Sequence, residues 1–288
     1  MTVYSRSFSP WLMQESRRVP IELVQGELPA GDELDPLIAR ADIVFFLAGS
    51  STPGLSDEDA VGSIIALLEP GLSVLDKMRR CGTERVVIAS SGGTVYGNVE
   101  IVPTPETAET RPTSLHGLNS LALENYARFY ASAHRLKPIV LRYSNVYGPG
   151  GRAKSGQGVI HAWCEALSRE EPIPFIGDGS TRRDFIFVND AAAATVRAAL
   201  TATEPRTFNV GSGTSISLLE LLNLIQEVTG REARLRDLPA RPVDVPVTEL
   251  DCTELSRRTG WAPATGLADG LAATWAWTQA VLGQPVVP

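Results

Sequence analysis

The chain has 288 residues, 43% hydrophobic and 20% charged, with a formal charge of −7. That length holds one large α/β domain or two modest ones, and the negative charge excludes nucleic acid as a bulk electrostatic partner. Cys81, Cys164 and Cys252 are too few and too far apart for a disulfide framework or a structural metal site.

No run approaches the roughly 18 apolar residues of a membrane span. The opening M-T-V-Y-S-R-S-F lacks the charged-then-apolar pattern of a secretory signal. The expectation is a cytoplasmic protein with no membrane partner.

Short apolar runs at 2–5, 21–24, 43–47, 86–89 and 139–143 predict buried parallel strands. Between them, the spacing predicts helices over 63–78 and 118–133, the first broken or kinked at Pro70 and Gly71. After residue 150, helices are expected over 159–168, 191–200 and 218–229. Asn189 and Asp190 stand where a helix N-cap belongs. Ser217 and Glu220 form a capping-box pair, and L-S-R-R-T-G-W-A-P reads as a helix stopped by Gly260. Alternating strand and helix predicts an α/β fold with a doubly wound parallel sheet.

Three strings carry chemistry: S-S-G-G-T-V-Y-G at 90–97, R-Y-S-N-V-Y-G at 142–148 and G-D-G-S-T-R-R-D-F-I-F-V-N-D at 177–190. Together they resemble the extended short-chain dehydrogenase/reductase family, specifically its NAD-dependent sugar-nucleotide epimerases and dehydratases. The first string looks most like 4-epimerases acting on UDP-sugars. The resemblance runs from Thr2 to about Trp277, through F-N-V-G-S-G at 208–213 and G-W-A-P at 260–263.

The resemblance implies a Rossmann-like domain over 1–150, with part of 185–215, and a smaller nucleotide-sugar lobe over 151–184 and 216–288. It implies NAD or NADP as cofactor, a UDP- or dTDP-linked sugar as partner, and a homodimer through a helix pair that includes 118–133.

Two family hallmarks are missing. The chain opens on Thr2–Ser5, which resembles the family's second strand, with no G-x-x-G-x-x-G turn before it. V-Q-G-E-L at 24–28 resembles the third strand and its end, and 41–49 the fourth. The first strand lies centrally in a 3-2-1-4-5-6 sheet, so its loss is expected to leave two unpaired edges. Either the start is assigned too late, or a natural truncation closes the gap or pairs with a partner.

The second hallmark is the Tyr-x-x-x-Lys pair. His116 stands in the Tyr position and Ser120 in the Lys position. The Lys ammonium lowers the Tyr pKa for proton transfer, and Ser supplies no such charge. His titrates near neutrality unaided, so His116 is either an acid/base or a helix-start residue in a decayed site.

The remaining roles are implied by the resemblance. Ser91 and Thr94 are the candidate catalytic hydroxyls, since Gly92 stands where some relatives carry one; the alternative is a Gly-Gly turn whose hydroxyls satisfy backbone groups. Ser90, Leu47, Ala48, Gly49, Glu27 and Arg6 line the cofactor. Arg6 meets a 2′-phosphate or is simply a surface Arg. Asn145 contacts the sugar–phosphate region. Arg183 and Arg241, with Asp244 downstream, grip the pyrophosphate. Glu124 reads as structural.

Overall fold

Residues covered on both faces have no solvent side to alternate with, and the apolar runs accordingly become parallel strands. The computed structural model describes residues 1–49, 59–151, 158–240 and 244–282. In chain order the first half contains β1 (Thr2–Ser5), α1 (Pro10–Glu15), β2 (Glu22–Gln25), α2 (Asp35–Ala39), β3 (Val44–Phe46), α3 (Ala60–Ser63), α4 (Glu69–Cys81), β4 (Arg85–Ser91), α5 (Leu115–His134) and β5 (Lys137–Tyr143). The second half contains β6 (Asn145–Tyr147), α6 (Val159–Ser168), β7 (Ile173–Ile176), β8 (Arg182–Phe187), α7 (Val188–Thr201), β9 (Arg206–Val210), β10 (Ser215–Ser217), α8 (Leu218–Thr229), β11 (Leu235–Leu238), α9 (Thr253–Thr259) and α10 (Leu267–Leu282).

A four-stranded parallel sheet runs β3-β4-β5-β9. One face packs on α2, α4 and α5 through Ile38, Leu75, Met78 and Leu123. The other packs on the alanine face of α7, with Trp261 closing it. A further core around Trp163, Phe175 and Leu221 holds α6, α8 and α10 together. Beside it lie the β10-β8-β6 sheet and the β11-β7 pair.

The expected split in the sheet is present. Among the described residues, β1 pairs with β2 alone and β3 with β4 alone. In the Rossmann order, one further strand belongs between β1 and β3.

The first long helix differs from expectation. Pro70 and Gly71 do not break it: helical structure continues from Ala60 to Cys81 through a π turn over Ile64–Leu68. The wide turn ends just before Pro70, which falls at the start of α4, where its missing N–H is least costly. Gly71 lies against α5; a Cβ there would stand 2.6 Å from Leu123 Cδ1.

Helix starts also move. α5 begins at Leu115 because Ser114 Oγ accepts the Gly117 N–H at 3.2 Å. α7 begins at Val188 with no side-chain cap, and the Asp190 carboxylate accepts the Thr265 N–H at 2.9 Å instead. The Ser217–Glu220 box and the Gly260 stop form as expected. No helix among the described residues is long and apolar enough to cross a membrane.

The close approach of α4 to α5 is testable. Gly71→Val should lower stability by about 1–3 kcal/mol through overpacking, read as a lower urea midpoint; an unchanged midpoint would show that the helices have room to spare.

Candidate active site

The C-terminal ends of the parallel strands carry the site, as expected for a doubly wound sheet. β4 ends at Ser90 and Ser91, and the chain turns through Gly92 with its N–H on Tyr143 O at 2.8 Å. A Cβ at Gly92 would stand 2.5 Å from Leu250 Cδ1 and 3.0 Å from Arg142 O. Leu250 fills the space a side chain would need, which accounts for glycine where a hydroxyl was sought.

Ser90 turns inward and donates to Glu124 Oε1 at 2.6 Å. Ser91 is half-buried. The Thr94 hydroxyl is buried and meets no hydrogen-bond partner among the described residues, a costly arrangement unless a ligand or water satisfies it. The start of α5 presses on this turn: a Cβ at Gly117 would stand 2.6 Å from Thr94 O. His116, half-buried, precedes Gly117. The structure thus brings Ser91, Thr94 and the His116 turn to one place.

Ser120 does not take over a lysine's role. Its hydroxyl donates to His116 O at 2.8 Å within the helix. Asn119 ties the same turn to α3, its Nδ2 donating to Ser63 Oγ at 2.8 Å.

Beneath the site lies a charge network that the motif reading left out. Arg142, on β5, is 2% exposed and Glu124, on α5, is fully buried. The guanidinium donates to both carboxylate oxygens, Nε at 3.0 Å and Nη2 at 2.7 Å. Its Nη1 donates to Tyr96 Oη at 2.9 Å, and Tyr96 donates to Asn209 Oδ1 at 2.7 Å. Asn209 Nδ2 reaches Thr104 O and Asp251 O. Burial alone would lower the Arg142 pKa, but Glu124 and Tyr96 hold it above its ordinary value. Burial pushes the Tyr96 phenol up, against the pull of Arg142. The sequence signal was available: an Arg in an apolar strand demands a buried carboxylate.

The substrate candidates gather around β6 and β8. Asn145 Nδ2 donates to Asp184 O at 3.0 Å, which fixes the amide's orientation. Arg183 is half-buried; its Nη1 donates to Val245 O at 2.7 Å, and its Nη2 lies 4.0 Å from Asp244 Oδ1. Arg183 and Asp244 thus lie side by side. Arg241 lies outside the described residues. Asp184, wholly buried, accepts from Ser212 N at 2.8 Å, Ser212 Oγ at 2.7 Å and Leu250 N at 3.2 Å. Burial raises its pKa despite these donors. It clamps the Ser212 turn and the Leu250 segment to β8. Arg182 donates to Ser215 and Glu220. Tyr143 and Tyr147 pack, their hydroxyls on Thr195 and Leu267.

The cofactor candidates divide. Leu47, Ala48 and Gly49 are exposed at the end of β3. Arg6 and Glu27, at the ends of β1 and β2, form a solvent-exposed ion pair at 3.7 Å, an interaction of small energetic weight.

Comparisons place this architecture. Residues 2–211 match the NAD dependent epimerase/dehydratase family. The chain belongs to that family. A UDP-glucose 4-epimerase of Mycolicibacterium smegmatis is 31% identical over 255 residues, covering 88% of this chain and 81% of that protein. The UDP-glucose 4-epimerase of Thermotoga maritima, solved with UDP-glucose, superposes with a TM-score of 0.90 at 29% identity, covering 98% of this chain and 91% of that one. A Thermus thermophilus UDP-glucose 4-epimerase complexed with NAD gives a TM-score of 0.86 at 26% identity, covering 97% of this chain and 99% of that one.

The residues present fit only part of the dinucleotide this family uses. The ends of β3 and β4 offer one wall. Between β1 and β3, where the pyrophosphate turn belongs, no strand lies among the described residues, and the Ser120 hydroxyl is taken by its own helix.

The buried pair sets a stability expectation. Glu124→Ala should cost about 3–5 kcal/mol by stranding Arg142 in the core. The double change with Arg142→Met should recover a substantial part, and urea unfolding of both variants checks this.

Proposed function

We propose that this chain binds a UDP-sugar through its nucleotide-sugar half and that the ancestral reaction of its site is 4-epimerisation. The observation that carries the reading is the cluster of Asn145, Arg183 and Asp244 beside the β8 clamp, held by backbone as well as side-chain bonds. An Arg fork already oriented by Val245 O loses little freedom on meeting phosphate oxygens.

NAD, when bound in this family, accepts a hydride from the sugar and returns it. No step through it is assigned to this chain, because its pyrophosphate turn is not among the described residues. Proton transfer has lost its usual Tyr and Lys. A catalytic reading rests on His116: imidazole needs no ammonium to work near neutral pH, and the orphaned Thr94 hydroxyl lies on the turn against which that helix start packs. The other reading is a non-catalytic binding or partner subunit, supported by Gly92 under Leu250 and by the internally bonded Ser120.

A homodimer belongs to the same proposal. Leu118, Tyr126 and Phe129 on α5 and Val61, Ile64 and Ile65 beside it are all more than 40% exposed, and α5 contacts that segment. The spacing 118, 126, 129 keeps three large apolar groups on one helix face. Such a contiguous patch is unusual on a monomer.

Two measurements follow. Arg183→Ala should weaken UDP binding at least tenfold, about 1.4 kcal/mol; unchanged affinity in calorimetry would remove the phosphate assignment. Light scattering should give twice the chain mass, and Phe129→Glu should halve it; a wild-type monomer at micromolar concentration would refute the dimer.

A further inference from the structure

The opposite end of the four-stranded sheet carries a second concave feature. β9 starts at Arg206 and ends at Val210, which leads into the Ser212 turn clamped by Asp184. The candidate active site gathers at that far end, so Arg206 stands one strand length, roughly 13 Å, from it. Beside Arg206, the last turn of α9 brings Arg257 and Arg258, and the chain at and just beyond the end of α7 brings Thr201 and Thr203. These residues line a cleft of about 310 Å³, at the lower end of the range for small-molecule sites.

The charges there do not cancel. All three guanidiniums donate to one carboxylate, Glu254: Arg206 Nη1 to Oε1 at 3.2 Å, Arg257 Nε and Nη2 to Oε2 at 3.1 and 2.8 Å, and Arg258 Nε to Oε1. The bonds from Arg258 and then Arg257 pull the Glu254 carboxyl down to about 2. A carboxylate offers about four lone-pair sites, whereas each guanidinium carries five N–H donors. Glu254 is therefore saturated while most of the donors around it are not. Among the described residues, Arg258 Nη1 and Nη2, Arg257 Nη1 and Arg206 Nη2 meet no hydrogen-bond acceptor. Glu204 is the other carboxylate at the cleft, so three guanidiniums face two carboxylates. Arg197, bonded to Thr259 O at 3.2 Å, adds a further positive charge beside them. The chain as a whole carries −7, so this excess runs against the overall charge. Affinity of arginine for a helix C-terminus accounts for Arg257 and Arg258 singly. It does not account for Arg206, which comes from β9.

We propose that this cleft binds a phosphate group, free or carried on a small molecule, at a site separate from the nucleotide-sugar half. Guanidinium forks match pairs of phosphate oxygens, and Thr201 and Thr203 supply hydroxyls on the same wall. The side chains of Arg206 and Arg258 are 35% and 39% exposed, so their stems are largely packed. Forks already oriented by Glu254 lose little freedom when a ligand takes their remaining donors. The site draws on none of the residues assigned to the nucleotide-sugar reading and stands whether or not that reading does.

The test is calorimetric titration of the full chain at constant ionic strength, with inorganic phosphate in one arm and glucose 6-phosphate in the other. Saturable binding is expected. Equal affinities would assign the site to the phosphate group alone, and a tighter sugar phosphate would assign it to an esterified ligand. Arg257→Gln combined with Arg258→Gln should weaken binding at least tenfold with the circular dichroism unchanged. Glu254→Gln keeps all three cations and removes the competing carboxylate, so it should tighten binding at least threefold. Arg183→Ala, on β8, should leave it unchanged. No saturable binding of either probe would overturn the site. So would binding that the double variant retains, binding lost with Arg183→Ala, or binding weakened by Glu254→Gln. A double variant that does not fold passes the decision to Glu254→Gln.

Discussion

The bidentate pair between Arg142 and Glu124 is the constraint on which the site depends. An uncompensated charge in this interior would cost several kcal/mol, so β5 and α5 must meet with both partners in register. Ser90 donates to the same carboxylate, which fixes the end of β4. Tyr96 and Asn209 carry the chain of bonds onward to Thr104 and Asp251. One ion pair thereby ties β4, α5, β5, β9 and the segment leading into α9. The turn bearing Ser91 and Thr94 and the helix start bearing His116 inherit their relative position from it.

The second organising fact is asymmetry. The nucleotide-sugar side is fully braced: Asp184 holds the Ser212 turn and the Leu250 segment, Arg183 holds Val245, and Asn145 is oriented by β8. On the dinucleotide side no strand lies between β1 and β3 among the described residues. Its outermost strands β1 and β2 rest on few groups, and the exposed Arg6–Glu27 pair adds little to them. The Arg142–Glu124 pair braces β4, α5 and β5, and Asp184 separately braces β8 with the Ser212 turn and the Leu250 segment. No residue of β1 or β2 is fully buried, which favours local opening of that pair.

Much of this was legible in the sequence. Apolar runs located the strands to within about two residues, the usual boundary error. The capping box at Ser217 and the stop at Gly260 were read correctly because both act through bonds within a few residues. The misreadings have a common cause in distant partners. Pro70 is tolerated because a π turn precedes it and α5 lies beside Gly71. Asp190 caps nothing on its own helix because Thr265, far along the chain, takes its carboxylate. The split sheet, by contrast, followed from strand order alone, since a central strand cannot be removed without freeing two edges.

Positions 92, 116 and 120 of the candidate site lie where one turn and one helix start meet. Leu250 fills the space beside Gly92. Ser120 returns its hydroxyl to the helix backbone, and a lysine ammonium at the same buried point would need an anion or a ligand to sustain it. His116 sits, half-buried, at the start of α5. At positions 92 and 120 the space and the hydrogen bond are thus satisfied within the chain. Beneath them the Arg142–Glu124 scaffold is costly to break and holds Ser90 at the end of β4.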